Sequence, residues 1–360
     1  MMASSISTSP PAPRERLPLL FGQETQLFGW QGLTAIIPAA WNLAYFGGKA
    51  SSGNLRIDDE EGPRLELRWQ TPDKAVDLDK SIEKFLESLG KAAKKRGAAF
   101  KVTDPPKLVS KGRKRKAQLV QFAWSGDKEE AAAHGCGLAW QCADCGRVLV
   151  AHLTGGGTDK VDKTQLLAGE VFDSMDCHGS GGWQTWSVFG CRLEVPDEFE
   201  LAQSKLMTGR LEWEWKRPKK PGLFSFFARD ERLKLARYSL AAVLLEHRSL
   251  TEWAQANISG EDKIWRWRNW QSLDETEKSA QPAPIAGAGE AIAARGLLRD
   301  MRMLVRIAVL NLVLRRPPAP AEITAWHDIK ENKLWVFSSD LRAANAHVRT
   351  DVLDSLDSTS

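Results

Sequence analysis

The chain repeats itself, and the repeat limits the fold more than any other feature of its 360 residues. Phe28 to Leu43 aligns without a gap on Trp186 to Leu201. Gly32 then falls on Gly190, Ile37 on Val195, Pro38 on Pro196, Trp41 on Phe199 and Leu43 on Leu201. A second match sets Ala139-Trp140, Val148 and Val150 against Ala325-Trp326, Leu334 and Val336. A third sets Val171-Phe172-Asp173-Ser174-Met175-Asp176 against Val352-Leu353-Asp354-Ser355-Leu356-Asp357. Such a duplication calls for two similar domains, each long enough to bury its own core, and makes each copy a control for the other.

The Ser/Pro-rich residues 1–20 read as a disordered leader. The first repeat spans 21–180 and the second 181–360. Short alternating strands are predicted around Leu33 to Ile37, Leu55 to Ile57 and Leu65 to Trp69, with turns at Gly53 and Gly62. Ile82, Phe85, Leu86 and Leu89 share one face of a helix predicted over Leu78 to Arg96. Strands follow at Ala117 to Trp124, Gly137 to Gln141 and Arg147 to Leu153, and a helix at Lys163 to Met175 closes the copy. The second copy predicts strands at Cys191 to Val195, Arg210 to Trp215 and Leu233 to Arg237, and a helix from Leu240 to Ala256. It also carries a basic, then aromatic insertion at 216–231 and a flexible Pro/Ala-rich loop at 279–289. Ala291 to Leu314 reads as helix first and strand after. The expected fold class is α+β: two tandem repeats of an antiparallel sheet covered by helices.

Five cysteines, all between 136 and 191, do not frame the chain as a disulfide scaffold would. They point to reduced thiols and a cytoplasmic location. Met301 to Leu314 is interrupted by Arg302, Arg306 and Asn311 and is too short to span a bilayer, so no membrane insertion is expected. Tryptophan is abundant, at 15 residues; the exchange of Trp41 with Phe199 reads these side chains as core bulk.

Defined chemistry is expected at one place. Cys142-Ala-Asp-Cys145-Gly-Arg147 puts two thiols on a tight turn, the spacing with which a knuckle holds zinc. Cys136, Cys177, His134 and His178 are the candidate further ligands, with Cys136 and Cys177 completing the preferred set. The second repeat has Asp328 and Glu331 in place of the CxxC pair, and so forms this corner without such a site. A redox pair is the other chemistry open to these thiols.

Two stretches read as partner surfaces. Lys107 to Lys116, with Lys111, Arg113, Lys114, Arg115 and Lys116, is suited to phosphate backbones, although no recognition helix or stacking motif accompanies it. Leu223, Phe224, Phe226 and Phe227 form an aromatic run inside an insertion the first copy lacks. Trp265 and Trp267 alternate with Arg266 and Arg268, as on an edge strand with one buried aromatic face. Asp173 and Asp176, repeated as Asp354 and Asp357, read as polar residues at helix ends. No Gly-x-Ser-x-Gly, Gly-x-x-x-x-Gly-Lys or His-Glu-x-x-His motif is present.

The strand endings Ile37-Pro38-x-x-Trp41 and Val195-Pro196-x-x-Phe199, with the element order, resemble the Mog1/PsbP-like family. That resemblance implies a sheet sandwiched by helices and a non-catalytic binding, assembly or adaptor role, and it carries over no functional residue. The sequence thus leads to a non-enzymatic interaction or assembly factor with another protein as its partner. The alternatives are a zinc- or thiol-dependent protein using Cys142 and Cys145, and a nucleic-acid binder using 107–116.

Overall fold

Alternating apolar and polar residues govern most of the chain, and the structure, a computed structural model, is mostly β. It describes residues 20, 22–74, 76–108, 117–126, 134–156, 159–219, 230–258, 265–298 and 321–357. The leader apart from Leu20 lies outside these residues. So do Lys111, Arg113, Lys114, Arg115 and Lys116 of the basic stretch, Leu223, Phe224, Phe226 and Phe227 of the insertion, and the strand expected at Val309 to Leu314.

The chain divides into two units, one mainly of residues 12–180 and 184–192, the other mainly of 181–183 and 193–358. The first contains β1 (Thr25–Trp30), β2 (Leu33–Pro38), β3 (Asn42–Lys49), β4 (Ser52–Asp58), β5 (Pro63–Gln70), α1 (Leu78–Lys95), β6 (Lys101–Thr103), β7 (Ala117–Ser125), β8 (His134–Cys142), β9 (Val148–Thr154), α2 (Val161–Ser174) and most of β10 (Trp183–Val188). Its main sheet has seven strands in the order β3-β4-β5-β9-β8-β7-β6. β1 and β2 form a hairpin, and β10 lies along β1 with Ser187 opposite Gly29.

The chain continues through β11 (Cys191–Pro196), β12 (Glu200–Met207), β13 (Arg210–Arg217), β14 (Glu231–Ser239), α3 (Ala241–Leu244), α4 (Leu250–Asn257), β15 (Trp265–Ser272), α5 (Glu275–Ser279), α6 (Ala283–Ala286), β16 (Glu290–Leu298), β17 (Glu322–Asp328), β18 (Lys333–Asp340) and α7 (His347–Asp354). The second unit's seven-stranded sheet runs β12-β13-β14-β18-β17-β16-β15, the same order as the first.

The match extends to register. Trp140 faces Leu149 as Trp326 faces Trp335, and Leu65 faces Leu153 as Leu233 faces Ser339. A bulge interrupts pairing between Leu43 and Tyr45 and again, at the aligned position, between Leu201 and Gln203. Gln31-Gly32 and Phe189-Gly190 both turn with positive φ (52° and 80°, 54° and 66°), as a two-residue hairpin loop requires. The Trp41 N–H donates to the Pro38 carbonyl and the Phe199 N–H to that of Pro196, each at 3.0 Å. The repeated sheets support the duplication. Most of its tryptophans are core: Trp30, Trp186, Trp213, Trp215, Trp326 and Trp335 are fully buried, while Trp124 and Trp270 are half-buried.

The α+β expectation, a sheet covered by helices, is overturned: three antiparallel sheets carry the fold, with few and short helices. Backbone geometry explains part of the error. Leu240 and His247 both take positive φ, and a Ser249–Glu252 capping box starts a fresh helix, so the predicted helix from Leu240 to Ala256 becomes two short ones. The segment read as helix from Ala291 is strand β16, paired on both sides. Its small residues have little helical periodicity to satisfy once they are buried in a sheet. Gly53 lies within β4 rather than at a turn; an added Cβ would come within 2.4 Å of the Trp69 ring. Within 279–289, α6 forms one turn and buries Ile285 completely.

Candidate metal centre

Two distant pieces of the first unit meet at one corner. The first is the turn between β8 and β9. There the Cys142 N–H donates to the Arg147 carbonyl at 2.9 Å, and the Gly146 N–H donates back to the Cys142 carbonyl at 3.0 Å. Gly146 has φ +69°, a conformation glycine adopts without strain, and this aims the Cys142 and Cys145 side chains to the same side. The second piece follows α2. The Ser174 Oγ accepts the Ile36 N–H at 2.9 Å, Asp176 bridges Thr34 through two backbone hydrogen bonds, and Arg147 Nη1 donates to the Cys177 carbonyl at 2.9 Å. Cys177 and His178 are therefore placed by the backbone before any ion is considered.

The ligand atoms of Cys142, Cys145, Cys177 and His178 all lie within 4.8 Å of one another. Cys145 Sγ is 3.7 Å from Cys177 Sγ, too far for a disulfide, whose sulfurs lie about 2.05 Å apart. His178 Nδ1 is 3.4 Å from Cys177 Sγ and 3.7 Å from Cys142 Sγ. A tetrahedral zinc, with bonds of about 2.3 Å to sulfur and 2.0–2.1 Å to nitrogen, sets S···S edges of about 3.8 Å and S···N edges of about 3.6 Å. These three edges fit, the whole set spans no more than 4.8 Å, and three cysteines with one histidine form a donor set zinc favours.

The surroundings act on the three thiols in opposite directions. Burial raises the Cys145 and Cys177 thiols above their ordinary range. For Cys142 burial acts the same way, but the backbone N–H groups of Cys145 and Asp144 outweigh it and hold this thiol low. The Arg147 guanidinium, itself lowered by burial, places positive charge beside all three sulfurs. The Asp144 carboxylate lies 3.8 Å from His178 Nε2, on the far side of the ring from the cluster. A carboxylate there steadies a ligating imidazole with its Nδ1 toward the ion.

Among the expected ligands, the structure brings Cys142, Cys145, Cys177 and His178 together. Cys136 is not among them: it sits in β8 between Ala123 and Leu153, is buried, and its thiol is pushed up to about 12 by burial. His134 is also elsewhere, with Nε2 2.8 Å from Thr164 Oγ1. His178, the candidate histidine next to Cys177, stands where the preferred set had Cys136. Sequence reading missed the serine between the repeated aspartates. Ser355 Oγ accepts the Glu194 N–H at 2.9 Å, repeating the Ser174–Ile36 bond. β15 is an edge strand with Trp265 and Trp267 buried and both arginines exposed. No helix among the described residues is long and apolar enough to cross a membrane.

No protein-family model matches the chain, and no curated protein does. Among solved structures it is similar to cyanobacterial PsbP (CyanoP) from Synechocystis sp. PCC 6803, at 12% identity. The match covers 46% of this chain and 97% of that one, with a TM-score of 0.31. The PsbP-like resemblance is thus weak and says nothing about activity or partner.

Proposed function

We propose that this chain is a non-catalytic interaction or assembly protein whose first repeat is fastened by a structural zinc ion. The observation that carries the reading is the convergence of Cys142, Cys145, Cys177 and His178 within 4.8 Å. Four protein ligands fill a tetrahedral site and leave no position for a water or substrate, which is the pattern of structural rather than catalytic zinc. The ion would tie the β8–β9 turn to the segment after α2. Three coordinating thiols suit a reducing compartment. The two repeats are further proposed to be tandem copies of one Mog1/PsbP-like domain, on the strength of their common register, bulge and proline turns.

Elemental analysis of protein purified without added metal tests the centre. One zinc per chain is expected, and cobalt substitution should give the absorption of a tetrahedral thiolate site. Less than about a tenth of a zinc per chain, with none taken up on reconstitution, would sink the proposal.

A further inference from the structure

In the first unit a groove of about 490 Å³ runs between α1 and the β6–β7 edge of the sheet. Its floor is apolar: Ile82 and Phe122 are buried, while Leu86, Val120 and Phe100 are half-covered. Val102, on the edge strand β6, is 53% exposed. Along one wall Asp79, Glu83 and Glu87 follow one another at helical spacing, all exposed. Among the described residues neither Asp79 nor Glu83 has an ion-pair partner; Glu87 has only the exposed Lys91 at 3.8 Å.

The second unit shows what filling this face requires. Val102 pairs with Trp124 in β7, whose register equivalent in β16 is Gly296, and Gly296 pairs with Trp267. Trp267 therefore occupies Val102's place, and it is buried at 4% exposure. With Ile258, Tyr238 and Val336 it lines a space of only about 20 Å³ on that face of the sheet. One repeat plugs its own face with tryptophan; the other leaves a valine, an apolar floor and a row of carboxylates.

We propose that this groove docks a basic amphipathic segment of a partner protein, with apolar anchors against Phe100, Val102 and Val120 and lysines or arginines along Asp79, Glu83 and Glu87. Charge complementarity selects the occupant: an apolar segment alone leaves the carboxylates unanswered, and an acidic one is repelled. The inference deepens the interaction reading and needs nothing from the zinc centre.

The probe is a fluorescein-labelled peptide of repeated Leu-Lys-Lys-Leu, titrated with the full chain and followed by anisotropy. Binding is expected that weakens with salt, falls about tenfold or more in E83K/E87K, and falls similarly in V102D. The double variant E60K/E200K, with the same change in net charge elsewhere, should bind as the parent does. Equal weakening in both double variants, or no loss in V102D, would overturn the groove. Tighter peptide binding after replacing Lys111 to Lys116 by Ser would make that segment the occupant and overturn the partner assignment. A cellular partner retained equally by parent and E83K/E87K leaves the interaction reading standing and rejects this surface. Zinc content measured on each variant separates these results from loss of the metal centre.

Discussion

The same corner of the fold is made with thiols in the first unit and with carboxylates in the second. In the β8–β9 turn the N–H of Cys145 points at the Cys142 sulfur; in the β17–β18 turn the N–H of Glu331 donates to Asp328 Oδ1 at 3.1 Å. Glu331 then pairs with Lys333 at 3.3 Å. A carboxylate oxygen and a cysteine sulfur thus accept the equivalent backbone N–H. The difference teaches that the turn itself does not depend on metal. What the thiols add is contact, at 3.7 Å, with a second piece of chain, Cys177-His178, some thirty residues downstream.

Exchanging the corners breaks the comparison most severely. C142D/C145E, which writes the second unit's residues into the first, is expected to abolish zinc binding. It should also lower the first unit's stability by about 4 kcal/mol or more, the range reached when a metal is lost. Calorimetry should show the second unit's transition in place; a variant that retains its zinc would mean the ligands lie elsewhere.

The next contrast is acid sensitivity. His152 is buried among Phe85, Phe122 and Trp124, and its Nε2 accepts the Trp124 indole N–H at 2.8 Å. Burial, with help from the Arg68 charge, lowers its pKa to about 4. Its folded pKa lies below its unfolded value of about 6.5, so its contribution is intact above that pH and drains away as pH falls toward 4. The loss is about 3 kcal/mol in all. The second unit has Ser338 at this register position and lacks the effect. Denaturant titrations of H152L between those pH values should show the dependence flattened.

Smaller effects sharpen the likeness instead. S174A and S355A each strip the acceptor from a strand N–H and should cost about 1–2 kcal/mol apiece, equal within error. A large inequality in urea unfolding would show that the two closures are not equivalent. G146A forces a side chain into left-handed backbone and should cost about 1 kcal/mol while zinc content stays at one per chain.

Register was legible in the sequence because apolar alternation and the proline turns recur at fixed offsets. Strand segments such as Leu65 to Trp69 and Leu233 to Arg237 therefore fell in strands. Helix was legible in the first copy, where the segments expected at Leu78 to Arg96 and Lys163 to Met175 fall on α1 and α2, but not in the second. The apolar spacing from Leu240 to Ala256 looks helical, but Leu240 and His247 interrupt it with positive φ, and just after Leu240 the Ala241 and Ala242 N–H groups donate to Asn332, far along the chain. The centre was half legible. Cys136 is close to Cys142 in sequence, but six residues along a strand span about 20 Å. His178 is 36 positions away and stands 3.7 Å off. Proximity along an extended chain is poor evidence for proximity in space.

Each repeat is closed by one hydroxyl that joins strand to helix across 138 residues in the first copy and 161 in the second. On a ribosome adding about 5–20 residues per second, Glu194 waits roughly 8 to 32 s for Ser355 to be made. The first copy's sheet and its four candidate ligands all precede residue 180, so they are available before that wait begins. Synthesis therefore separates in time two sheets that share one register and invite mistaken partnership. Refolding from denaturant removes that order, and recovery of native protein is expected to be slower and less complete than from a translating ribosome.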